Sequence, residues 1–202
     1  MEDHTAFFER AWTLLRRGAV DKRHGFSLGT FTTMAPAGSY LPSVPCSRTV
    51  VVRTVDSTTG TITCYTDVRS RKVDQLSSNP NAAWCLWDKR SNMQISAYGP
   101  VTIAHDETTR QQYLSLPKHS RKAYATLTAP GTAVTTGSRN GLPEDWEDVD
   151  LKATDYGAEH FAVLTTHLLS MDILELGRHG HRRLKASRDT ITGDWSLTWV
   201  VP

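Results

Sequence analysis

From Phe26 onward, the chain is a succession of short runs rich in β-branched and aromatic residues, separated by turn residues. Phe26-Ser-Leu-Gly-Thr-Phe-Thr-Thr33 is one run and Arg48-Thr-Val-Val-Val-Arg-Thr-Val55 another. Asp56-Ser-Thr-Thr-Gly60 reads as a turn, with Thr61 to Thr66 returning as the hairpin partner. Ala82 to Trp87 and Met93 to Ile103 follow, the latter with a break expected at Gly99-Pro100. Four more runs close the chain: 161–166, 169–176, 181–187 and 195–201. In the last of these Trp195, Leu197 and Trp199 alternate, as one face of a half-buried strand requires. No strand–helix–strand rhythm is present. Such a pattern excludes a doubly wound parallel sheet and predicts one antiparallel barrel of roughly seven strands with a few helices.

The helical segments are fewer. Residues 3–17 read as a helix capped by Asp3, with Phe8, Ala11, Trp12 and Leu15 on one face. A short helix is expected from Ser70 to about Leu76, stopped at Asn79-Pro80 because proline cannot continue it. Two more are expected at 106–116 and 120–127, separated by Pro117. Residues 35–47 and 129–158 read as loops, the second with at most one helical turn near 144–149. No linker divides the 202 residues, so a single domain is expected, with an N-terminal helix within residues 1–20.

Composition removes several function classes. A net charge of +2 gives no reason to expect nucleic acid, and no apolar run is long enough to span a membrane. Met1-Glu2-Asp3-His4 does not resemble a signal peptide, so a cytoplasmic location is the default. Cys46, Cys64 and Cys85 are widely spaced and odd in number, against a disulfide framework or a zinc site. Cys64 and Cys85 are expected to be buried, reduced thiols. His179-Gly-His181 reads as a solvated turn without a third metal ligand, and 144–148 as an exposed acidic loop. Trp12, Trp84 and Trp199 are expected in the core or at a dimer contact. No Gly-x-Ser-x-Gly or paired carboxylates argue for hydrolysis.

The segment that carries chemistry is Tyr65-Thr66-Asp67-Val68-Arg69-Ser70-Arg71-Lys72. A strand ends, a turn follows, and a helix starts at Ser70, a residue suited to the N-cap. Arg71 and Lys72 then place two cations in the first turn, where the helix dipole favours anions. For an arbitrary Ser-Arg-Lys, solvated side chains are the ordinary outcome. A bound phosphate also resolves the charge conflict, since free N–H groups, the dipole and two cations converge on it. Arg48 starts a strand expected to pair with the one ending at Tyr65-Thr66, which would bring a third cation. Gln94 interrupts an apolar strand, which fits either an outward-facing residue or a polar contact to a ligand.

Arg48-Thr-Val-Val-Val-Arg53, Gly60, Tyr65-Thr66, Ser70-Arg71-Lys72, Gln75-Leu76 and Asn79-Pro80 together resemble the core of the pyridoxamine 5′-phosphate oxidase family. Trp87, Met93-Gln94-Ile95, Gly99, Pro117, Ser120, Trp195 and Val201-Pro202 continue the resemblance. It covers residues 45–125 closely and 160–202 loosely. The resemblance implies a six- to seven-stranded antiparallel split β-barrel that binds flavin mononucleotide (FMN) at the interface of a homodimer. It implies that Arg48, Arg71 and Lys72 hold the FMN phosphate, Ser70 opening the helix there. Val50, Val51, Tyr65 and Thr66 would line the flavin, and Gln94 would bond the polar edge of its ring. Arg183 is carried over as a further cofactor contact, and Arg53 and Ser120 as substrate contacts.

The pattern departs from the oxidase at its substrate site. Gln112 and Leu116 stand where the family has Tyr and Arg, and a leucine cannot replace a bidentate phosphate clamp. Arg183-Leu184-Lys185 stands for Arg-x-His, and Ala129-Pro130 for a Gln-Ser pair that reaches the partner's flavin. Arg53, Tyr113, Arg121 and Lys122 are the residues from which an equivalent phosphate site could be rebuilt. The implied activity is an FMN-dependent oxidoreductase on a small substrate other than a vitamin B6 phosphate. A flavin carrier without turnover, and a split barrel using haem or a deazaflavin, remain open.

Overall fold

The computed structural model describes residues 3–38, 43–134 and 141–202. Residues 39–42 and 135–140, within the two expected loops, and Met1-Glu2 lie outside the described residues.

Helix α1 spans His4–Val20. The Asp3 carboxylate caps it by accepting from the Ala6 N–H at 2.7 Å. Its apolar stripe of Phe7, Phe8, Ala11, Trp12 and Leu15 is buried. The rings of Phe7 and Phe8 lie 5.0 and 5.3 Å from those of Trp199 and Trp195, so the alternating tryptophans of the last strand form the seat of the first helix. Trp12 and Trp84 are in the core, whereas Trp199 is 40% exposed.

Ten strands form among the described residues, more than the seven or so runs suggest: β1 (Leu28–Ala35), β2 (Val44–Val51), β3 (Thr54–Asp56), β4 (Thr61–Asp67), β5 (Asn81–Asp88), β6 (Met93–Ala104), β7 (Phe161–His167), β8 (Ser170–Glu175), β9 (Arg182–Arg188) and β10 (Trp195–Val200). Every pairing is antiparallel. The order β10-β9-β8-β6-β5-β1-β2 makes one sheet, and β3-β4-β7 joins it through β6. The sheet is not closed, as in a split barrel.

β6 is the strand that links the two parts. Residues 93–98 pair with β8 and residues 101–104 with β7. The expected break at Gly99-Pro100 is therefore a change of partner inside one continuous strand. Glycine is required there because a Cβ would collide with the His167 carbonyl.

Several boundaries differ from the sequence expectation. The run 48–55 divides at Val52-Arg53, and β2 begins at Val44, inside the expected loop. β2, with Arg48, pairs with β1, while only the short β3 forms the hairpin with β4 across the Gly60 turn. Pairing with a neighbour distant in sequence decides this, which periodicity cannot report. The helix expected at 120–127 reduces to α4 (Lys118–Arg121). The end of the expected long loop, Lys152–His160, is a 3₁₀ helix. It packs Ala158 into a second small core with Tyr113, Tyr124, Phe161 and Val163. Helix α2 spans Arg71–Ser78 and α3 spans Glu107–Leu114.

Of the two thiols expected to be buried, Cys64 is and Cys85 is not. β5 alternates strictly, with Trp84 and Leu86 inward, so Cys85 faces outward. Burial pushes the Cys64 thiol up to about 12, which keeps it protonated and unreactive.

Candidate functional site

Where β4 ends, Asp67 accepts from the Arg69 backbone N–H at 2.8 Å and pairs with the Arg69 guanidinium at 2.7 Å. This fixes the turn that launches α2. Ser70 occupies the N-cap position, but its hydroxyl does not cap the helix. It donates instead to the Asp67 carbonyl at 2.7 Å and lies 3.1 Å from the Thr66 hydroxyl. The Lys72 ammonium donates to both hydroxyls at 3.0 Å. Thr66 and Ser70 thus hold the ammonium at the start of the helix, beside first-turn N–H groups that no side chain caps.

Arg48 reaches the same place from the other side. Although β2 does not pair with β4, the inward alternation of β2 points Arg48 toward α2. Its guanidinium donates to Thr33 Oγ1 at 2.6 Å and to Gln75 Oε1 at 3.1 Å, and Thr33 donates to Gln75 at 2.5 Å. Gln75 is a buried helical residue, so this bridge locks Arg48 to α2. Burial, and then repulsion from Arg48, hold the Lys72 ammonium below its usual pKa. Burial likewise lowers Arg48. Two cations that disfavour each other thus meet at one helix start, where Asp67 is engaged by Arg69 and Asp74 also stands in the first turn.

These cations open on a cleft of about 280 Å³ walled by Val50, Val51, Tyr65, Ala123, Tyr124 and Pro130, with Arg53 at one side. The Arg53 guanidinium stacks on the Tyr65 ring at 4.8 Å, and its Nε is buried without a hydrogen-bond partner. The Tyr65 hydroxyl accepts from the Gln112 amide at 2.7 Å. Burial pushes the Tyr124 phenol up to about 12, so it stays neutral. The cleft therefore has a cationic end and a partly apolar wall.

The family model for the pyridoxamine 5′-phosphate oxidase FMN-binding domain matches residues 9–105, which contain this cation pair and most of the cleft wall. Over those residues the chain is similar to the pyridoxamine 5′-phosphate oxidase-like family. Among similar curated proteins, pyridoxine/pyridoxamine 5′-phosphate oxidase 2 of Arabidopsis thaliana is 25% identical over 201 residues, covering 95% of this chain and 96% of that protein. The oxidase of Mycolicibacterium paratuberculosis is 26% identical, covering 93% and 83%. A pyridoxamine 5′-phosphate oxidase-related, FMN-binding protein of Nostoc punctiforme shares the fold with a TM-score of 0.74 at 20% identity, covering 97% of this chain and 96% of that one. PhzG of Burkholderia lata, solved with tetrahydrophenazine-1-carboxylic acid, gives 0.66 at 16% identity, covering 100% and 94%.

Within one copy of the chain, the residues carried over from the resemblance do not all converge. Arg48, Val50, Val51, Tyr65, Thr66, Ser70, Lys72 and Arg53 line the cleft. Arg71 is exposed on the first helical turn, outside the walls. Gln94 pairs across the sheet with Trp87 and Leu174, and Leu174 pairs with Arg183. β6 lies three strands from β2 along the sheet and β9 lies five, and neither Gln94 nor Arg183 lines the cleft. Arg183 is also paired with Asp172 at 2.7 Å. Ser120 lines an adjoining compartment rather than the cleft itself. Pro130, which the resemblance associates with a partner's flavin, lines the cleft of its own chain.

The alternative phosphate site is not assembled. Tyr113 is fully buried and donates to the Thr154 carbonyl at 2.8 Å. Arg121 is 1% exposed and bonds Asp155 and the carbonyls of Leu114, Leu116 and Leu151. Lys122 pairs with Glu147. Leu116 packs on the second core. Gln112 and Gln75 are contacts the sequence did not single out as structural. Their signal was only that each is polar on a face otherwise turned inward.

Among the described residues, no cluster of metal-ligating side chains occurs, and no helix is long and apolar enough to cross a membrane.

Proposed function

We propose that the chain binds FMN in this cleft and acts as an FMN-dependent oxidoreductase on a small substrate. The observation that carries the reading is the pair of cations at the start of α2, Arg48 held by Thr33 and Gln75 and Lys72 held by Thr66 and Ser70. Arg48, Lys72, Thr66 and Ser70 would hold the phosphate. Val50, Val51 and the Tyr65 ring would wall the flavin. Bound there, FMN supplies the two-electron chemistry that no side chain of the cleft can perform. The protein's part is to position the ring and to exclude water.

A homodimer completes the reading. Trp87 is 42% exposed, Leu28 51% and Val51 40%, all on the outward face that also carries Gln94, Leu174 and Arg183. A second copy on this face would cover that apolar surface. It would also bring Gln94 and Arg183 toward the flavin of its partner, which they do not reach in their own chain. Leu116 packs against the second core and Tyr113 lies within it, so neither would offer a phosphate clamp. This favours a substrate other than pyridoxamine 5′-phosphate.

Flavin fluorescence quenching tests the cofactor assignment. FMN should bind at least roughly tenfold more tightly than riboflavin, the value of one charge-assisted hydrogen bond. Equal affinities would refute the phosphate site. Light scattering of the flavin-loaded protein should give a dimer mass at micromolar concentration, and a monomer mass would refute the interface.

A further inference from the structure

The cleft has three sides. Two are built on β2 and on the turn from β4 into α2, and the third is irregular chain that contributes Ala123, Tyr124 and Pro130. The two ends of this third side are held differently. Tyr124 is buried, and its ring lies 4.9 Å from that of Phe161 in the second core. The neighbouring Ala125 carbonyl accepts from the Tyr156 hydroxyl at 2.7 Å. Beyond it, Leu127, Thr128 and residues 130–134 are exposed, so burial does not fix Pro130 where it walls the cleft.

One side chain holds that end. Arg69 Nη2 donates at 3.0 Å to both the carbonyl and the hydroxyl of Thr126, 57 positions along the chain. Arg69 Nε and Nη2 also donate to the Asp67 carboxylate at 3.0 and 2.7 Å. Asp67 is buried and lines the cleft beside Lys72. Among the described residues, the other hydrogen bonds of residues 126–132 stay within 126–141. They run from Leu127 N–H to the Gly141 carbonyl, from the Thr126 hydroxyl to the Thr128 carbonyl, and from Thr132 to the Ala129 carbonyl. A planar guanidinium holds a carboxylate and a second acceptor at one fixed separation, which an ammonium does not.

We propose that Arg69 is a positioning residue of the cleft: through Asp67 and Thr126 it latches residues 126–130 to the start of α2 and so sets the third wall. The latch is a property of the free protein, whereas its effect on a ligand rests on the flavin reading. The latched segment brings no cation to the cleft. It therefore bears on the ring that FMN and riboflavin share, not on the phosphate.

Backbone NMR relaxation of the full chain, together with stopped-flow flavin dissociation, tests it. Arg69→Lys keeps a cation opposite Asp67 and loses the fork to Thr126. Arg69→Met combined with Asp67→Asn removes the whole tie without stranding a buried carboxylate. In both variants the amides of residues 127–132 should fall from order parameters of about 0.85 to below about 0.6, while β4 and α2 stay rigid. In Arg69→Lys, FMN and riboflavin should dissociate faster by a common factor of roughly ten, the value of one charge-assisted hydrogen bond. Unchanged order in 127–132 would overturn the latch, as would a loss of order that extends through β4 and α2. Faster dissociation of FMN alone would make Arg69 a phosphate ligand, and loss of order with both dissociation rates unchanged would leave the wall without effect; either result overturns the proposal. Loss of order confined to 127–132, in a protein whose unaltered form binds neither flavin, would remove the flavin reading alone and leave the latch standing.

Discussion

Replacing Lys72 with methionine separates a ligand-binding cation from a structural one. In the free protein the Lys72 ammonium is penalised twice, by burial and by Arg48. It gains two hydroxyl contacts at 3.0 Å in return. Methionine keeps most of the volume, removes the repulsion, and leaves Thr66 and Ser70 bonded to each other and to the Asp67 carbonyl. The stability of the free protein should therefore hold or rise. A bound phosphate reverses the balance, because the ammonium then faces an anion. Losing that contact should cost about 1.5–3 kcal/mol, or roughly 10- to 150-fold in the Kd for FMN. Riboflavin affinity should change little. The pH dependence follows from the same shift. A lysine whose folded pKa lies below its unfolded value of 10.5 destabilises the fold while it is protonated. That penalty is relieved as pH rises through the folded value toward 10.5, so this group's contribution to stability increases with pH over that window. FMN affinity should fall over the same alkaline range as the ammonium is lost, and Lys72→Met should flatten both slopes. Thermal unfolding of the free protein and flavin quenching with the two ligands are the assays. A variant that loses stability while keeping the preference for FMN over riboflavin would show that Lys72 serves the fold and not the phosphate.

Three further outcomes follow from the packing. Gly99→Ala places a Cβ against the His167 carbonyl where β6 changes partner, and should cost about 1–3 kcal/mol or more in urea unfolding; a neutral effect would mean that β6 is not bent there. Arg121→Met strips donors from three carbonyls and from Asp155, and should cost about 3–5 kcal/mol by the same assay with FMN affinity unchanged; an effect on FMN with stability preserved would return Arg121 to the site. Steady-state peroxide release with pyridoxamine 5′-phosphate should fall orders of magnitude below about 1 s⁻¹, because Leu116 and Tyr113 offer no phosphate contact; turnover near that rate with a micromolar KM would refute the reading of the pocket.

Sequence alone determined what local rules govern. Alternation gave β10 its faces, Asp3 capped α1, and the cations of Ser70-Arg71-Lys72 drew attention to the start of α2. Each of these depends on residues within a few positions of one another, where period and helix dipole act directly. The tertiary structure decided the rest. It paired β2 with β1 rather than β4, yet returned Arg48 to α2 through Thr33 and Gln75. It turned Cys85 outward and sent Arg121 and Tyr113 into the core. It left Arg53 with a buried Nε that makes no hydrogen bond, and placed Gln94 and Arg183 on strands outside the cleft. Strand partners and buried ion pairs join residues tens of positions apart, and which of many compatible partners wins is set by the packing of the whole sheet, a quantity no local window contains.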